Sequence, residues 1–236
     1  MATAVGQLSV RDLIVGRSSQ FTLGPVTVGV NGGECLGLVG ANGSGKTTLM
    51  RCILGTLRPD SGAVSWDGVP VRANHPSPGV TGLIEEPRFF DRLSAVENMR
   101  LVVPGKRITS TECQVALERV GLREHGQDRV GTFSQGMRQR LALARVLVTH
   151  ARLVVLDEPT NGLDPVGIRW LRQLVEELLA DGVALVVSSH MLHEVQAVCT
   201  SFLMLDQGKV FAAGAVSELE GTATLEDFYF AAVEQE

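Results

Sequence analysis

The segment Gly40-Ala-Asn-Gly-Ser-Gly-Lys-Thr47 spaces three glycines before a lysine and a hydroxyl. Glycines let successive backbone N–H groups converge on an anion without Cβ interference, and a helix starting just after them adds the positive end of its dipole. The ammonium of Lys46 suits the outer phosphates of a nucleotide, and the hydroxyl of Thr47 suits Mg²⁺. Gly40, Asn42, Gly43, Ser44, Gly45 and Thr48 complete the expected cradle. Lysine is otherwise scarce, with only Lys106 and Lys209 besides Lys46. A compact ammonium enters a phosphate cradle that a planar guanidinium does not fit.

Three further segments could share that chemistry. Leu153-Val-Val-Leu-Asp-Glu158 is an apolar run ending in two acids. Open α/β sheets bind ligands at the ends of their strands, so Asp157 is expected beside the phosphates as a Mg²⁺ ligand. Glu158, one residue on, is placed to position or deprotonate an attacking water. Ser188-Ser-His190 also follows an apolar run, where His190 could hydrogen-bond a γ-phosphate. Ser134-Gln135-Gly136 opens a helix and offers a hydroxyl, backbone N–H groups and a helix dipole to an anion.

Such residues need elements to hold them. Residues 7–39 alternate short β-like runs with Gly and Asn turns, which predicts an antiparallel sheet leading into the strand before the phosphate loop. From about residue 91 to 149 the pattern is mainly helical, with Ser94-Ala-Val-Glu97 fitting a capping box. Residues 111–120 fit an amphipathic helix. A β/α alternation then returns: strand 153–156, helix 165–180, strand 183–187, helix 191–199 and strand 201–205. Near-continuous apolar strands between helices imply a parallel sheet covered on both faces. The expected fold is α/β: one domain over 1–236, with a P-loop NTPase (RecA-like) core and N-terminal antiparallel β subdomain over about 1–85 and 150–236. A helical subdomain over about 88–149 is inserted.

Composition narrows the partners. The chain has 236 residues, 44% hydrophobic and 20% charged, enough for a full core. A net charge of −5, a single Tyr and two Trp leave neither a basic stripe nor a stacking platform, so no nucleic-acid partner is expected. Cys35, Cys52, Cys113 and Cys199 are scattered without a Cys-x-x-Cys, which reads as reduced thiols. The first residues lack the basic start and apolar core of a leader peptide, and no window reaches the roughly 18 apolar residues of a membrane span. Membrane work is therefore expected through a partner.

Taken in order, Gly40 to Thr47, Ser134-Gln-Gly-Met-Arg-Gln-Arg140, Leu156-Asp-Glu-Pro-Thr160, Asn161-Gly-Leu-Asp164 and Ser189-His190 resemble the nucleotide-binding subunit of ABC transporters, over nearly the whole chain. The resemblance implies Mg-ATP hydrolysis in a head-to-tail dimer with a second ATP-binding subunit, a copy of this chain or a relative. The phosphate loop of one subunit and Ser134, Gln135 and Gly136 of the other then sandwich one ATP, and Asp164 touches the partner. The cycle of closing and reopening moves a polytopic permease from the cytoplasmic face of a bacterial membrane. A second reading within the family is a single-cassette ATPase of the iron–sulfur assembly type. Two-cassette translation factors and coiled-coil repair ATPases need segments this chain lacks, and a simple GTPase or kinase leaves Ser134 to Arg140 unexplained.

The chain departs from the family at three places. Where most members have Leu-Pro-Gln-Glu-Pro, it reads Leu83-Ile-Glu-Glu-Pro87, placing Glu85 at the Gln position, or Glu86 if the alignment slips by one. With Phe89-Phe90 behind it, this resembles the branch exporting lantibiotics, bacitracin and related peptides or drugs, as does the short ending Leu225-Glu-Asp-Phe-Tyr229. Glu85 is then expected to ligate Mg²⁺ as an anion. Phe133-Ser-Gln-Gly-Met137 replaces Leu-Ser-Gly-Gly-Gln, so Gln135 stands for a bare glycine. The usual adenine-stacking aromatic is missing around Ile14 to Arg17, which leaves Val15 or Arg17 to cover the base.

Overall fold

A computed structural model describes residues 6–18, 21–75, 77–85, 87–101, 108–219 and 224–233. Glu86, Lys106 and the side chain of Arg17 lie outside what is described. Strands β1 (Gln7–Ser18) and β2 (Phe21–Asn31) pair antiparallel, and β3 (Cys35–Val39) leads into helix α1 (Lys46–Ile53). Strands β4 (Ser61–Trp66) and β5 (Val69–Pro70) return to the first sheet, giving the order β2-β1-β4-β5. After β6 (Val80–Leu83) come the helices α2 (Ala95–Arg100), α3 (Ser110–Arg119) and α4 (Gln135–Leu147). Then β7 (Leu153–Leu156), α5 (Pro165–Ala180), β8 (Ala184–Ser189), α6 (Leu192–Val198), β9 (Ser201–Asp206), β10 (Lys209–Ala215) and α7 (Leu225–Val233) complete the chain.

The second sheet has the order β10-β9-β3-β8-β7-β6. Its strands run parallel except β10, which pairs antiparallel with β9 at the edge. Strand β3 sits between β8 and β9, so the loops after β3 and β8 leave the same end of the sheet side by side. β7 is the next strand, and its exit delivers Asp157 to that end. Every residue of β3, β7 and β8 is buried. Alternate side chains serve different cores, because a strand turns its side chains to opposite faces with a period of two. Leu153 and Val155 pack with α1 and the antiparallel sheet, while Val154 and Leu156 pack with the helical segments and α5. A sheet covered on both faces thus explains why these strands read as unbroken apolar runs.

Helices α2, α3, α4 and α5 start at side-chain caps. Ser94 Oγ accepts from the Glu97 amide at 3.2 Å and Glu97 Oε2 accepts from the Ser94 amide at 2.7 Å, the reciprocal box that fixes the start of α2. Thr109 and Glu112 repeat it at α3. Asp164 caps α5 by accepting from the Gly167 amide at 2.7 Å, with Pro165 in the first turn, where its missing N–H costs nothing. Among the described residues no helix is long and apolar enough to cross a membrane.

Candidate nucleotide site

The loop from β3 to α1 is built around two different demands on glycine. Gly40 has φ 152° and sits so close to β9 that a Cβ would lie 2.1 Å from the Leu205 carbonyl oxygen, so packing alone requires it. Gly43 has φ 84°, yet nothing lies within 4 Å of where its Cβ would be. That second position is open, as close approach of a ligand to the backbone requires. Ser44 is buried, and its hydroxyl has no hydrogen-bond partner among the described residues. A polar atom left unpaired in an anion cradle is what a bound phosphate would satisfy.

Lys46 opens α1 and is buried. Its Nζ donates to the carbonyls of Gly40 at 2.6 Å and Ala41 at 3.1 Å, so the ammonium stays inside the curve of the loop. Burial lowers its pKa, while the nearby charges of Glu158 and Asp157 oppose that shift. Thr47 Oγ1 donates to Asp157 Oδ2 at 2.8 Å, joining two residues 110 positions apart. Asp157 also accepts from Ser188 Oγ, which in turn accepts from the Glu158 amide at 2.8 Å. The three strand ends are therefore stitched together through one aspartate and one serine.

Glu158 has φ 47°, a left-handed backbone that costs a non-glycine residue of order 1–3 kcal/mol and persists where surroundings over-determine it. Its Oε2 meets His190 Nδ1 at 2.7 Å, while Oε1 is buried without a partner among the described residues. A carboxylate with one oxygen oriented by an imidazole and the other unengaged is equipped to accept a proton from water. Thr47 and Asp157 fit Mg²⁺, which is usually held by one or two carboxylates, a hydroxyl and substrate phosphates. No group of three or more His, Cys, Asp or Glu forms a metal site among the described residues, in keeping with so sparse a protein shell.

Ser134 caps α4 by accepting from the Met137 amide at 3.2 Å. The Gln135 side chain packs on its own chain: a Cβ on Gly162 would come within 2.9 Å of it. Gln139, one turn later, donates to the Pro159 carbonyl at 3.0 Å. A cleft of about 900 Å³ is lined by Glu85, Gln135, Arg138, Gln139, Asp157 and Glu158 among others, and by neither Lys46 nor Ser134. Asp164 is exposed, with one oxygen committed to capping α5.

One expectation needs correction. Val15 is 2% exposed and belongs to the core between β1 and α1, so it cannot cover a base. Glu85, with φ 66°, forms an ion pair with Arg51 of α1 and not with Thr47 or Asp157; its side chain is 61% exposed. Sequence reading also passed over Phe21, at the start of β2. Its ring would touch a Cβ placed on Gly45, at 3.4 Å, which makes it an aromatic against the phosphate loop. The available signal was an aromatic opening the strand after a polar turn, some 20 residues before the loop.

Comparison with known proteins agrees with this geometry. The family model described as ABC transporter matches residues 23–161. The lantibiotic transport ATP-binding protein SrtF of Streptococcus pyogenes is 32% identical over 94% of this chain and 95% of its own length. The bacitracin transport ATP-binding protein BcrA of Bacillus licheniformis is 35% identical over 84% of this chain, which spans only 66% of BcrA. A solved ATP-binding subunit of an ABC transporter superposes with a TM-score of 0.85 at 28% identity, covering 96% of this chain and 99% of that one. A phosphate loop, two acids and a histidine gathered at one end of a parallel sheet, in a chain matched along most of its length, show that it belongs to the ABC transporter family as an ATP-binding subunit that hydrolyses ATP.

Proposed function

We propose that this chain, bound peripherally at the cytoplasmic face of a bacterial membrane, drives a separate permease that exports a peptide antibiotic or drug. The observation that carries the catalytic half is the Glu158–His190 contact at 2.7 Å beside Asp157 and Lys46. Lys46 and the amides of Asn42 to Thr48 bind the phosphates. Thr47 and Asp157 hold Mg²⁺, which neutralises charge on the phosphate oxygens when bound. Glu158 takes the proton of the attacking water, and His190 orients Glu158 and meets the γ-phosphate. Ser134 caps the exposed start of α4, and its hydroxyl, the α4 dipole, Gln135 and Gly136 serve the phosphates of a second copy. Asp164 faces that copy from the exposed end of α5.

Export of a peptide or drug rests on the names of SrtF and BcrA and on the acid at position 85. Affinity purification of the tagged chain from detergent-solubilised cells tests it. A polytopic membrane protein encoded beside a peptide-biosynthesis or resistance gene is expected, and recovery of soluble scaffold proteins alone contradicts the proposal.

Adenine recognition falls to Phe21 in this reading. Stacking of a base on an aromatic is worth about 1–3 kcal/mol, so Phe21→Ala should raise the ATP dissociation constant roughly 5- to 150-fold with little change in the binding of inorganic triphosphate. Equal losses for both ligands, or for neither, count against the assignment.

Glu85 can serve Mg²⁺ through its second oxygen or by leaving Arg51, which engages Oε1. If it does, Glu85→Gln raises the Mg²⁺ concentration at half-maximal turnover, whereas Arg51→Ala lowers it, and ATP affinity moves less in both. The ion pair is exposed enough that neither variant should lose more than about 1 kcal/mol of stability. Shifts of the same sign in the two variants rule out the ligand role.

A further inference from the structure

Glu194 is a buried carboxylate that the chemistry above does not use. It lies in α6, one turn beyond His190. Its Oε2 accepts from Thr160 Oγ1 at 2.9 Å and from Ser189 Oγ at 3.2 Å. Ser189 Oγ itself accepts from the Met191 amide at 3.0 Å, on the far side of His190. One oxygen therefore ties the turn that follows Glu158 to the residues on both sides of His190. Its other oxygen, Oε1, has no partner among the described residues, and Glu194 borders a cavity of about 30 Å³ together with Thr160, Ser188, Ser189 and Arg172. An acid kept out of water is costly, and an apolar side chain of like volume would pack this position at least as well. Packing does not account for the acid; the two hydroxyls do.

We propose that Glu194 is a positioning residue for hydrolysis, the clamp that holds the Glu158 turn and the His190 segment at their working separation. Glu158 sits in a strained backbone conformation, held by backbone bonds within its turn and by three side-chain ties. Ser188 holds its amide, Gln139 holds the Pro159 carbonyl, and Glu194 holds Thr160. Ser188 reaches that turn from β8, two residues before His190, and Glu194 adds a second tie through Ser189 and Thr160. Loss of the clamp lets Glu158 and His190 drift apart, and a displacement near 1 Å can cost about a hundredfold in rate. Both hydrogen bonds of Glu194 go to Thr160 and Ser189 rather than to the phosphate loop, so ATP binding is expected to change little.

The inference rests on Glu158 and His190 acting as assigned, and the test separates the two levels. In the full-length chain, Glu194→Ala is expected to lower kcat about tenfold to a hundredfold. The dissociation constant for a fluorescent ATP analogue should stay within about twofold. Glu194→Gln should recover at least part of the loss, because its carbonyl oxygen can still accept both hydroxyls. Thr160→Val should lower kcat alone, and add nothing on top of Glu194→Ala, since both break the same tie. A folded Glu194→Ala with wild-type kcat overturns the clamp, as does a parallel fall in kcat and ATP affinity. If Glu194→Ala does not fold, Thr160→Val decides: unchanged kcat overturns the clamp. Full turnover by Glu158→Gln would instead remove the reading beneath it.

Discussion

Replacing Glu158 with Gln is expected to cut steady-state phosphate release about a thousandfold, within the range for loss of a general base. ATP binding should survive, and two copies should remain locked around the nucleotide. The substitution keeps the shape of the side chain, and the Glu158 amide keeps its bond to Ser188 because that bond is made by the backbone. The strained φ of 47° is likewise set by the surrounding ties. What is lost is the basic oxygen that lies buried without a partner among the described residues. An amide in that place cannot take a proton from water at neutral pH. Phosphate release by a coupled assay, paired with gel filtration in Mg-ATP, measures both halves. A variant that turns over normally, or one that stays monomeric in ATP, contradicts the role.

Lys46→Ala should be as damaging by a different route. It removes a buried cation whose donors brace the loop through the Gly40 and Ala41 carbonyls. It also leaves Asp157 and Glu158, whose charges reach Lys46, facing the incoming phosphates without compensation. Truncating one member of a buried charge pair typically costs about 2–5 kcal/mol, so ATP affinity should fall roughly 30-fold or more and turnover should drop to background. Arginine should not rescue it, because a planar guanidinium does not fit the turn that a point charge fills. Isothermal titration with ATP distinguishes this from Glu158→Gln, which keeps affinity and loses only rate. An Arg variant with wild-type affinity would show that charge alone matters at this position.

The signals legible in the sequence were local ones. The phosphate loop, the box at Ser94 and Glu97, and the helix opening at Ser134 each place their chemistry within a few residues, and the structure puts helices at each. Asp157 could be located although its partner Thr47 is 110 positions away, because strand ends in a parallel sheet converge by topology. Side-chain pairings without such a rule were not legible. Glu85 could have pointed to the metal or to α1, and only the fold shows Arg51 waiting there. Val15 alternates to the inner face of β1, which its neighbours in sequence do not reveal. Strand β10 is partly exposed and antiparallel at a sheet edge, so it lacked the apolar run that marked its neighbours. Glu194 read as one acid in a short helix until Thr160 and Ser189 were brought to it.

In the proposed function the site of one chain is half of a working site, completed by Ser134 of a second copy. Mixing two inactive variants, Lys46→Ala and Ser134→Arg, tests it most directly. In a mixed dimer the intact Lys46 of one copy faces the intact Ser134 of the other, restoring one site of two. With equal amounts and random pairing, the mixture should recover about a quarter of wild-type turnover. A mixture as inactive as either parent would show that each chain builds its site alone.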